Sequence, residues 1–429
     1  MFTLPFEKTI LPNGTRLMII PLPGVESVAT SVMVGVGSRY EEKTTNGISH
    51  FLEHMVFKGT QKYPTTDDVN FIERLGGLQN AYTDIDITCY HNKVLSEDWK
   101  SGLEINKELA LFPRLEQKHI DKERDVILEE MKRSEDEPAV KVGEVFHQML
   151  YPGTKLGMRI IGEVAPLRAS TSETLANYHD AWYQPERTVV VLSGKIDDSA
   201  TTKIRECVNT WFGTIPAKTT GIIEKVTEKQ AAPLVQVVTK PDAQQAHITL
   251  GVRTIARGCE ERFAWNIFNL LFGVSFTSRL FKEIREKKGL CYTIKSSHDH
   301  YEDVGNWSIY AGVATEKVEE AITGIMQELK TVVDKGVTQE EVSVAIKRLK
   351  TMIAFRAEDP EFMNEWYGRQ EVYHQPIMTL AEYVKRIESV TKKEIDTLVA
   401  KYIIPQTLNL AVVWKKQNDE SLVKLLTLK

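Results

Sequence analysis

Hydrophobic positions in the first half of the chain follow strand and helix periodicities in turn. Residues 8–11 and 16–20 flank the turn Pro12-Asn13-Gly14, which predicts a β-hairpin. One helix is predicted to begin after Asn46-Gly47, and another to begin near Thr65 and end at Gly76-Gly77. The same periodicities predict strands over residues 28–36, 80–91 and 188–192, and helices over residues 97–111, 117–133, 139–150 and 199–212.

The second half repeats this order of elements. An apolar helix, a turn marked by glycine, a pair of strands and a long amphipathic helix follow one another in both halves. The second set comprises strands over residues 235–238, 247–252, 291–297 and 306–311, and helices over residues 260–271, 277–287 and 318–333. This order predicts an internal duplication of an α+β unit of about 200 residues.

A polar stretch between the two halves is the predicted linker. Pro216, Gly221 and Pro233 interrupt residues 213–233, which show little periodicity. The predicted fold class is α+β, with two homologous α/β-sandwich domains, each an antiparallel-rich sheet covered by helices. The predicted division of the chain is a domain over residues 1–215, a linker over residues 216–234 and a homologous domain over residues 235–429.

Composition and charge are those of an ordinary globular protein. Of the 429 residues, 42% are hydrophobic and 26% are charged, and the formal net charge is −5. No basic surface is indicated, so binding to nucleic acid is not expected. Charges interrupt the apolar runs well short of the roughly 20 residues that a membrane span requires, so no membrane partner is expected.

The N-terminus and the cysteines bear on the compartment of the protein. Residues 1–8 lack the basic and apolar regions of a secretory signal, so a cytoplasmic location is expected. None of the four cysteines lies at C-x-x-C spacing, which favours reduced thiols over a metal site or a disulfide framework. We expect buried free thiols at Cys89, Cys207, Cys259 and Cys291.

The segment His50-Phe51-Leu52-Glu53-His54 carries the clearest chemistry in the chain. On a helix, His50 and His54 lie one turn apart on the same face, where two imidazole nitrogens can bind one metal ion. Glu53 lies beside that point and can take a proton from water at the metal. The order of residues is the inverted form of the H-E-x-x-H zinc motif, so the segment predicts a zinc site.

The alternative is an amphipathic helix whose histidines are surface residues or hydrogen-bonded core residues. The otherwise apolar run of residues 48–57 argues against it, because buried imidazoles need polar partners and a metal ion is one. A zinc peptidase also needs a third protein ligand, and the acidic helix over residues 117–133 is its expected source. Glu123 and Glu130, seven residues apart, share one face of that helix, but spacing alone does not choose between acidic residues.

Further motifs accompany the histidines in the first half. They are residues 47–60, Gly76-Gly77 followed by Asn80-Ala81-Tyr82-Thr83, residues 123–131, and Trp182-Tyr183-Gln184-Pro185. Together they resemble the inverzincin peptidases of the pitrilysin and insulin-degrading enzyme family. The chain is most similar to the single-length subfamily that includes the mitochondrial processing peptidase subunits and their bacterial relatives. The resemblance covers nearly the whole sequence.

The resemblance implies roles for the residues of the metal site. His50, His54 and Glu130 match the zinc ligands of the family, with one ion per subunit, and Glu53 matches the general base. Glu123 matches an acid that supports the site by orienting a ligand. The first domain is therefore expected to be the zinc-binding, catalytic one.

The resemblance also implies residues that bind substrate. Asn80, Ala81 and Tyr82 match an exposed edge strand, to which a peptide adds through backbone hydrogen bonds. The second half has lost the H-x-x-E-H motif, since its equivalent helix reads Phe268-Asn269-Leu270-Leu271-Phe272. Arg285 and Tyr292 match an arginine–tyrosine pair of the family, and a guanidinium with a phenol suits binding of substrate carbonyls and stabilisation of an oxyanion.

The activity implied is that of a zinc metalloendopeptidase acting on short or unfolded peptides. Because the zinc motif and the arginine–tyrosine pair occur on one chain, no separate catalytic partner is required. The resemblance implies a homodimer of clamshell-like subunits that encloses the peptide in a chamber.

Two other functions fit part of the pattern. S-ribosylhomocysteine lyases use a related H-x-x-E-H arrangement, but they are much shorter and lack a duplicated half. A catalytically silent structural or chaperone-like member of the same family is the second alternative. Such members have usually lost ligands, whereas His50, Glu53, His54 and Glu130 are all present here.

Overall fold

The computed structural model of the protein describes residues 5–218, 221, 223–226, 230–416 and 419–428. The strands within these residues form two sheets. The strands are β1 (Glu7–Ile10), β2 (Arg16–Pro21), β3 (Ser27–Val34), β4 (Leu78–Thr83), β5 (Thr88–Leu95), β6 (Thr188–Gly194), β7 (Leu234–Thr239), β8 (Gln245–Thr254), β9 (Cys291–His300), β10 (Gly305–Ala314) and β11 (Asn409–Trp414).

The helices connect these strands and cover the sheets. They are α1 (Ile48–Val56), α2 (Thr66–Val69), α3 (Phe71–Arg74), α4 (Trp99–Leu111), α5 (Gln117–Asp136), α6 (Pro138–Leu150), α7 (Val164–Ala169), α8 (Ser172–Trp182), α9 (Asp198–Phe212), α10 (Arg262–Asn269), α11 (Val318–Lys335), α12 (Gln339–Arg356), α13 (Pro360–Val372), α14 (Leu380–Glu388), α15 (Lys392–Tyr402) and α16 (Asp419–Leu425). Two π-helical segments, Leu270–Val274 and Phe281–Lys287, follow α10. None of these helices has both the length and the apolar character needed to cross a membrane.

The chain forms two compact units, and each is assembled from interleaved segments. Unit 1 contains the described residues of segments 1–131, 158–224 and 353–381, and unit 2 contains those of segments 132–157, 225–352 and 382–429. Each half of the chain therefore contributes one helix to the unit built mainly from the other half: α6 belongs to unit 2 and α13 to unit 1. The division predicted from the sequence, with a linker over residues 216–234, stays a prediction, and part of that linker lies outside the described residues.

In unit 1 a six-stranded sheet is covered by helices on both faces. Its order is β1-β2-β6-β3-β5-β4, with β2 and β6 parallel and the other neighbours antiparallel. Helix α4 packs on one face, where the Asn106 amide donates to the Thr30 carbonyl over 2.9 Å. Helix α13 packs on the other face, where the Asn364 amide donates to the Ser31 hydroxyl over 3.0 Å. Consecutive strand residues point to opposite faces, so β3 is buried from both sides.

Unit 2 repeats this topology with five strands. Its order is β7-β11-β8-β10-β9, with β7 and β11 parallel and the other neighbours antiparallel. In both sheets the strand that comes last in the sequence, β6 or β11, lies between two earlier strands and runs parallel to one of them. The predicted α+β fold, a duplicated unit with an antiparallel-rich sheet covered by helices, is confirmed.

The strand predicted over residues 80–91 is wrong, because β4 and β5 form a hairpin around a turn over residues 84–87. The Asp84 carboxylate accepts a hydrogen bond from the Ile85 amide over 2.8 Å, and the Asp84 amide donates to the Ile87 carbonyl over 2.8 Å. Ile85 and Ile87 are apolar and buried, and each follows an aspartate, so apolar and polar residues alternate along residues 84–87. The alternation typical of a strand therefore continues through the turn and hides it in the sequence.

The cysteines confirm one part of the prediction made for them. All four are free. Cys89 and Cys291 are buried as expected, whereas Cys207 and Cys259 are half-buried. The single helix predicted from near Thr65 to Gly76-Gly77 is wrong in one detail, since the segment forms two single-turn helices, α2 and α3.

Candidate metal centre

Helix α1 begins at a backbone position that favours glycine. Gly47 has a φ of 97°, and a Cβ atom there would lie 2.8 Å from both Gly162 Cα and the Ile161 carbonyl oxygen. The buried Glu41 carboxylate accepts hydrogen bonds from the amides of Gly47 (2.7 Å) and Ser49 (2.8 Å). Amides in the first turn of a helix lack partners within it, so Glu41 supplies them and holds the start of α1 in place.

The apolar face of α1 is buried, and the two histidines lie on its remaining side. Their ring centroids are 4.6 Å apart, and both rings are half-buried. Glu130 of α5 lies opposite, with Oε2 3.6 Å from His54 Nε2. One ligand atom from each of His50, His54 and Glu130 lies within 4.8 Å of the other two. In the described part of the chain this is the one group of three such side chains close enough to share a metal ion.

A second carboxylate orients one of the histidines. Glu123 Oε1 lies 3.0 Å from His54 Nδ1, and Glu123 Oε2 lies 2.8 Å from Lys58 Nζ. Burial opposes ionisation of Glu123, but the hydrogen bonds from His54 and Lys58 outweigh it, and the pKa of this carboxyl is lowered. An ionised Glu123 accepts the Nδ1 proton of His54, which leaves the lone pair on Nε2, the nitrogen that faces Glu130.

Burial sets the protonation of the other two residues of the motif. Burial, and in second place the nearby His54, lowers the pKa of His50 to about 4. His50 is therefore a neutral imidazole at neutral pH, with a lone pair available to a metal ion. Burial raises the pKa of Glu53, although a hydrogen bond from Thr83 opposes the shift. A carboxylate with a raised pKa is a stronger proton acceptor than an exposed one.

The donor set fits a zinc ion. Two imidazoles and one carboxylate are a common protein ligand set of catalytic zinc sites, which leave a further position open for water or substrate. His50 Nδ1 is buried and has no hydrogen-bond partner among the described residues. Burying an imidazole nitrogen without a hydrogen-bond partner costs free energy of folding. Binding of a cation by the ring would be a functional reason for accepting this cost.

Strand β4 brings the segment Asn80-Ala81-Tyr82 to the edge of the unit 1 sheet. Ala81 pairs with Tyr90 and Tyr82 with Cys89 of β5, and no other described strand pairs with β4. At the end of the strand, Thr83 Oγ1 donates a hydrogen bond to Glu53 Oε2 over 2.6 Å. The strand predicted to bind substrate and the residue predicted to be the base are therefore joined by a direct hydrogen bond.

In unit 2 the predicted arginine and tyrosine lie side by side. The guanidinium carbon of Arg285 is 5.5 Å from the centre of the Tyr292 ring and 4.7 Å from that of Phe281. Tyr292 is 76% exposed at the start of β9, and Arg285 lies in the π-helical segment Phe281–Lys287. Segments of this kind are frequent at functional sites. The roles predicted for this pair in substrate binding and catalysis stay predictions.

Three residues of the site in unit 1 were not assigned from the sequence. Thr83 is the last residue of the motif Asn80-Ala81-Tyr82-Thr83. Strand alternation could have indicated that its side chain points to the opposite face of the sheet from that of Tyr82. Lys58 lies four residues after His54, one helical turn, so its proximity was readable from spacing. No sequence pattern marks Glu41, because its partners are two backbone amides and the Asn46 side chain, which no recognised motif links to it.

The fold and the site together define a duplicated α+β protein with a candidate metal centre of two histidines and one glutamate in its first half. The model of the family described as "Insulinase (Peptidase family M16)" matches residues 17–164, and the model described as "Peptidase M16 inactive domain" matches residues 170–349. The chain belongs to peptidase family M16 and is a single-length member of it, as the sequence motifs predicted.

Relatives of similar length align with nearly the whole chain. The chain is 31% identical over 411 residues to YmxG of Bacillus subtilis, which is named an uncharacterized zinc protease, and the alignment covers 95% of this chain and 98% of that protein. It is 31% identical over 426 residues to a protein of Mycobacterium bovis that is also named a zinc protease, with 97% of this chain and 94% of that protein covered. A crystal structure of a Helicobacter pylori protease superposes with a TM-score of 0.89 at 22% identity, covering 96% of this chain and 99% of that chain. This last likeness shows the fold.

Proposed function

We propose that the protein is a zinc metalloendopeptidase that hydrolyses short or unfolded peptides. The observation that carries this proposal is the convergence of His50, His54 and Glu130 on one point, with Glu53 on the same helix face. These three ligands would hold one zinc ion per subunit. When bound, the ion supplies Lewis acidity toward a carbonyl oxygen and lowers the pKa of water.

The side chains around the ligands transfer the proton or hold other groups in position. Glu53 accepts the proton of the attacking water and passes it to the leaving amine, and its raised pKa suits both steps. Thr83 holds the Glu53 carboxylate through the 2.6 Å hydrogen bond. Glu123 holds the His54 ring in one orientation and one tautomer, and Lys58 holds Glu123 ionised.

The edge strand supports a peptide as the substrate. A peptide in extended conformation would add to the open side of β4, where backbone hydrogen bonds bind it with little demand on its sequence. Asn80, Ala81 and Tyr82 would form this contact. Arg285 and Tyr292 would bind substrate carbonyls and stabilise the oxyanion, which are roles that suit a cationic fork beside a phenol.

A catalytically silent member of the family, with a structural or chaperone-like role, is the second candidate. The observation in its favour is that the family model matching residues 170–349 describes an inactive domain. That model covers the half of the chain without an H-x-x-E-H motif, whereas the candidate ligands lie within residues 17–164, which match the peptidase model. The complete ligand set therefore favours the peptidase.

Digestion of a random peptide library, read by mass spectrometry, tests the proposal. The wild type is expected to cleave peptides, to lose this activity with a chelator and to regain it with zinc. Glu53→Gln is expected to bind zinc as the wild type does but to cleave nothing, because the ligands remain while the proton acceptor is lost. Glu129→Gln, at an exposed acid of α5, is the matched control and keeps full activity. Zinc-loaded wild type that binds peptides without cutting them would support the silent alternative.

The expected homodimer forms part of the same proposal. A dimer of clamshell-like subunits would admit short peptides to a chamber and exclude folded proteins by size. Sedimentation of the zinc-loaded protein at several concentrations tests it, and a monomer at every concentration would refute it.

A further inference from the structure

Helix α13 carries an arginine that reaches the edge strand β4 from one face of the unit 1 sheet. Arg369 Nη2 donates to the Tyr82 hydroxyl over 3.3 Å and lies 3.5 Å from Asp84 Oδ2. Its Nε donates to Glu365 Oε2 over 2.7 Å, and Glu365 Oε1 accepts from the Tyr82 hydroxyl over 2.8 Å. The Arg369 guanidinium therefore contacts the side chains of Tyr82, Asp84 and Glu365. The several donors of its rigid, planar fork can bind these partners at the same time, which the single ammonium of lysine does less well.

The two β4-side partners of Arg369 flank Thr83 in the sequence. Because successive strand residues point to opposite faces, Tyr82 points toward α13 while Thr83 points toward α1. Thr83 is the residue whose hydroxyl donates to Glu53 over 2.6 Å. The contacts of Arg369 with residues 82 and 84 therefore also fix the position of the backbone at residue 83. The Thr83 hydroxyl donates to Glu53 from this backbone position.

We propose that Arg369 is a positioning residue for Glu53 and that it acts through Thr83. This inference rests on the proposed function, in which Glu53 is the proton acceptor. Catalytic rate depends steeply on placement, since misplacement by about 1 Å can cost as much as 100-fold. Arg369 lies in the C-terminal half of the chain, 286 residues after Thr83 (369 − 83), and outside every motif of the first half. The second half thus contributes to the unit 1 site through α13.

Two single variants and their combination test this chain of contacts on a peptide cleaved by the wild type. Arg369→Met keeps most of the length of the side chain but removes the fork, and is expected to lower kcat about threefold to tenfold with zinc content unchanged. Thr83→Ala removes the hydroxyl that positions Glu53 and is expected to lower kcat by about tenfold to 100-fold. In the double variant Arg369→Met is expected to add nothing, because its effect passes through Thr83. Thr83→Ser keeps the hydroxyl and is expected to restore both the activity and its sensitivity to Arg369→Met.

Lys93→Met is the matched control. Lys93 Nζ lies 2.9 Å from Asp359 Oδ1, an ion pair between β5 and the N-terminal end of α13 that does not touch residues 82–84. Its loss removes one cationic contact between the same helix and the same sheet. We expect kcat within about twofold of the wild type, because this half-buried ion pair is still accessible to solvent and contributes little net stability. A loss equal to that of Arg369→Met would indicate a general effect of α13 packing and would overturn the proposal.

Amide hydrogen exchange of the metal-free protein provides a readout that does not depend on activity. Arg369→Met is expected to speed exchange in residues 80–84, and Lys93→Met is expected to leave it unchanged. Additive losses of kcat in the double variant, or unchanged exchange in Arg369→Met, would contradict the proposal. If Arg369→Met does not fold, Arg369→Lys replaces it, with an intermediate loss expected because the charge remains without the fork. A wild type that cleaves no peptide would refute the proposed function alone, since the exchange comparison still tests the positioning.

Discussion

Glu123 lies 3.0 Å from His54 Nδ1, on the side of the imidazole away from the nitrogen that faces Glu130. A carboxylate in this position fixes the tautomer of a ligand and increases its basicity, and its loss typically weakens metal binding tenfold to 100-fold. We therefore expect Glu123→Gln to weaken zinc binding by about one to two orders of magnitude. Competition with a chromophoric chelator measures this affinity without reference to catalysis.

The control for this variant is Glu129→Gln, which removes an exposed acid from the same helix. Its zinc affinity should stay close to that of the wild type, because Glu129 does not belong to the ligand group and its side chain is exposed to solvent. Equal affinities for the wild type and Glu123→Gln would show that the hydrogen bond to His54 has no role in metal binding.

Glu41 is expected to make the stability of unit 1 depend on pH. Burial raises the pKa of this carboxyl from 4.5 to about 7, despite hydrogen bonds from Gly47, Ser49 and Asn46. Between these values the native state binds a proton that the unfolded state does not, so its contribution is fully present below pH 4.5 and is lost as pH rises through about 7. The free energy of unfolding is expected to fall by about 3 kcal/mol over this range.

Urea unfolding of the metal-free wild type and of Glu41→Gln, at about pH 5 and about pH 7, measures this effect. The fall in stability with rising pH should occur only in the wild type. Parallel pH dependence in both proteins would exclude Glu41 as its source.

Gly47→Ala is expected to destabilise the start of the metal-binding helix. The residue has a φ of 97°, and the added methyl group would lie 2.8 Å from backbone atoms of Ile161 and Gly162. Backbone strain and overpacking together should lower the free energy of unfolding by about 2–4 kcal/mol. Gly76→Ala is the control, because Gly76 has a φ of 77° but no atom within 4 Å of the added carbon, so it should cost about 1 kcal/mol. Urea unfolding measures both, and equal losses would mean that the contact with residues 161 and 162 is unimportant.

The arginine–tyrosine pair of unit 2 is expected to affect turnover but not metal binding. Arg285→Ala and Tyr292→Phe should each lower kcat by about 100-fold to 1,000-fold, the range found when a group that stabilises an oxyanion is removed. Zinc content should stay that of the wild type, since neither residue belongs to the ligand set. Lys287→Ala, at an exposed cation of the same π-helical segment, is the control and should cleave normally. Unaltered kinetics in both variants would show that the pair contributes no catalytic group.

The two histidines of the metal site could be predicted from the sequence because their relative position depends only on local helix geometry. The spacing of His50 and His54 places them on one helix face, because helix periodicity depends only on the backbone of that segment. Spacing did not choose between Glu123 and Glu130, since residues seven apart share a face of α5 and both carboxylates reach His54. The resemblance to a family favours Glu130 as the ligand, and this assignment stays a prediction. In the structure Glu130 is the acid that lies close to both histidines.

The sequence by itself determined the fold class, the duplication and the H-x-x-E-H segment, which follow from periodicity and from short segments of consecutive residues. It determined the family through the resemblance of its motifs to those of known peptidases. Tertiary structure alone decided that α13 packs on the first sheet, that Glu41 caps α1 and that Arg369 contacts Tyr82 across 287 positions of the chain. Contacts of this kind depend on how sheets and helices pack after the chain has folded back on itself. No periodicity of neighbouring residues encodes them, because the partners belong to different elements whose relative placement is a property of the whole core.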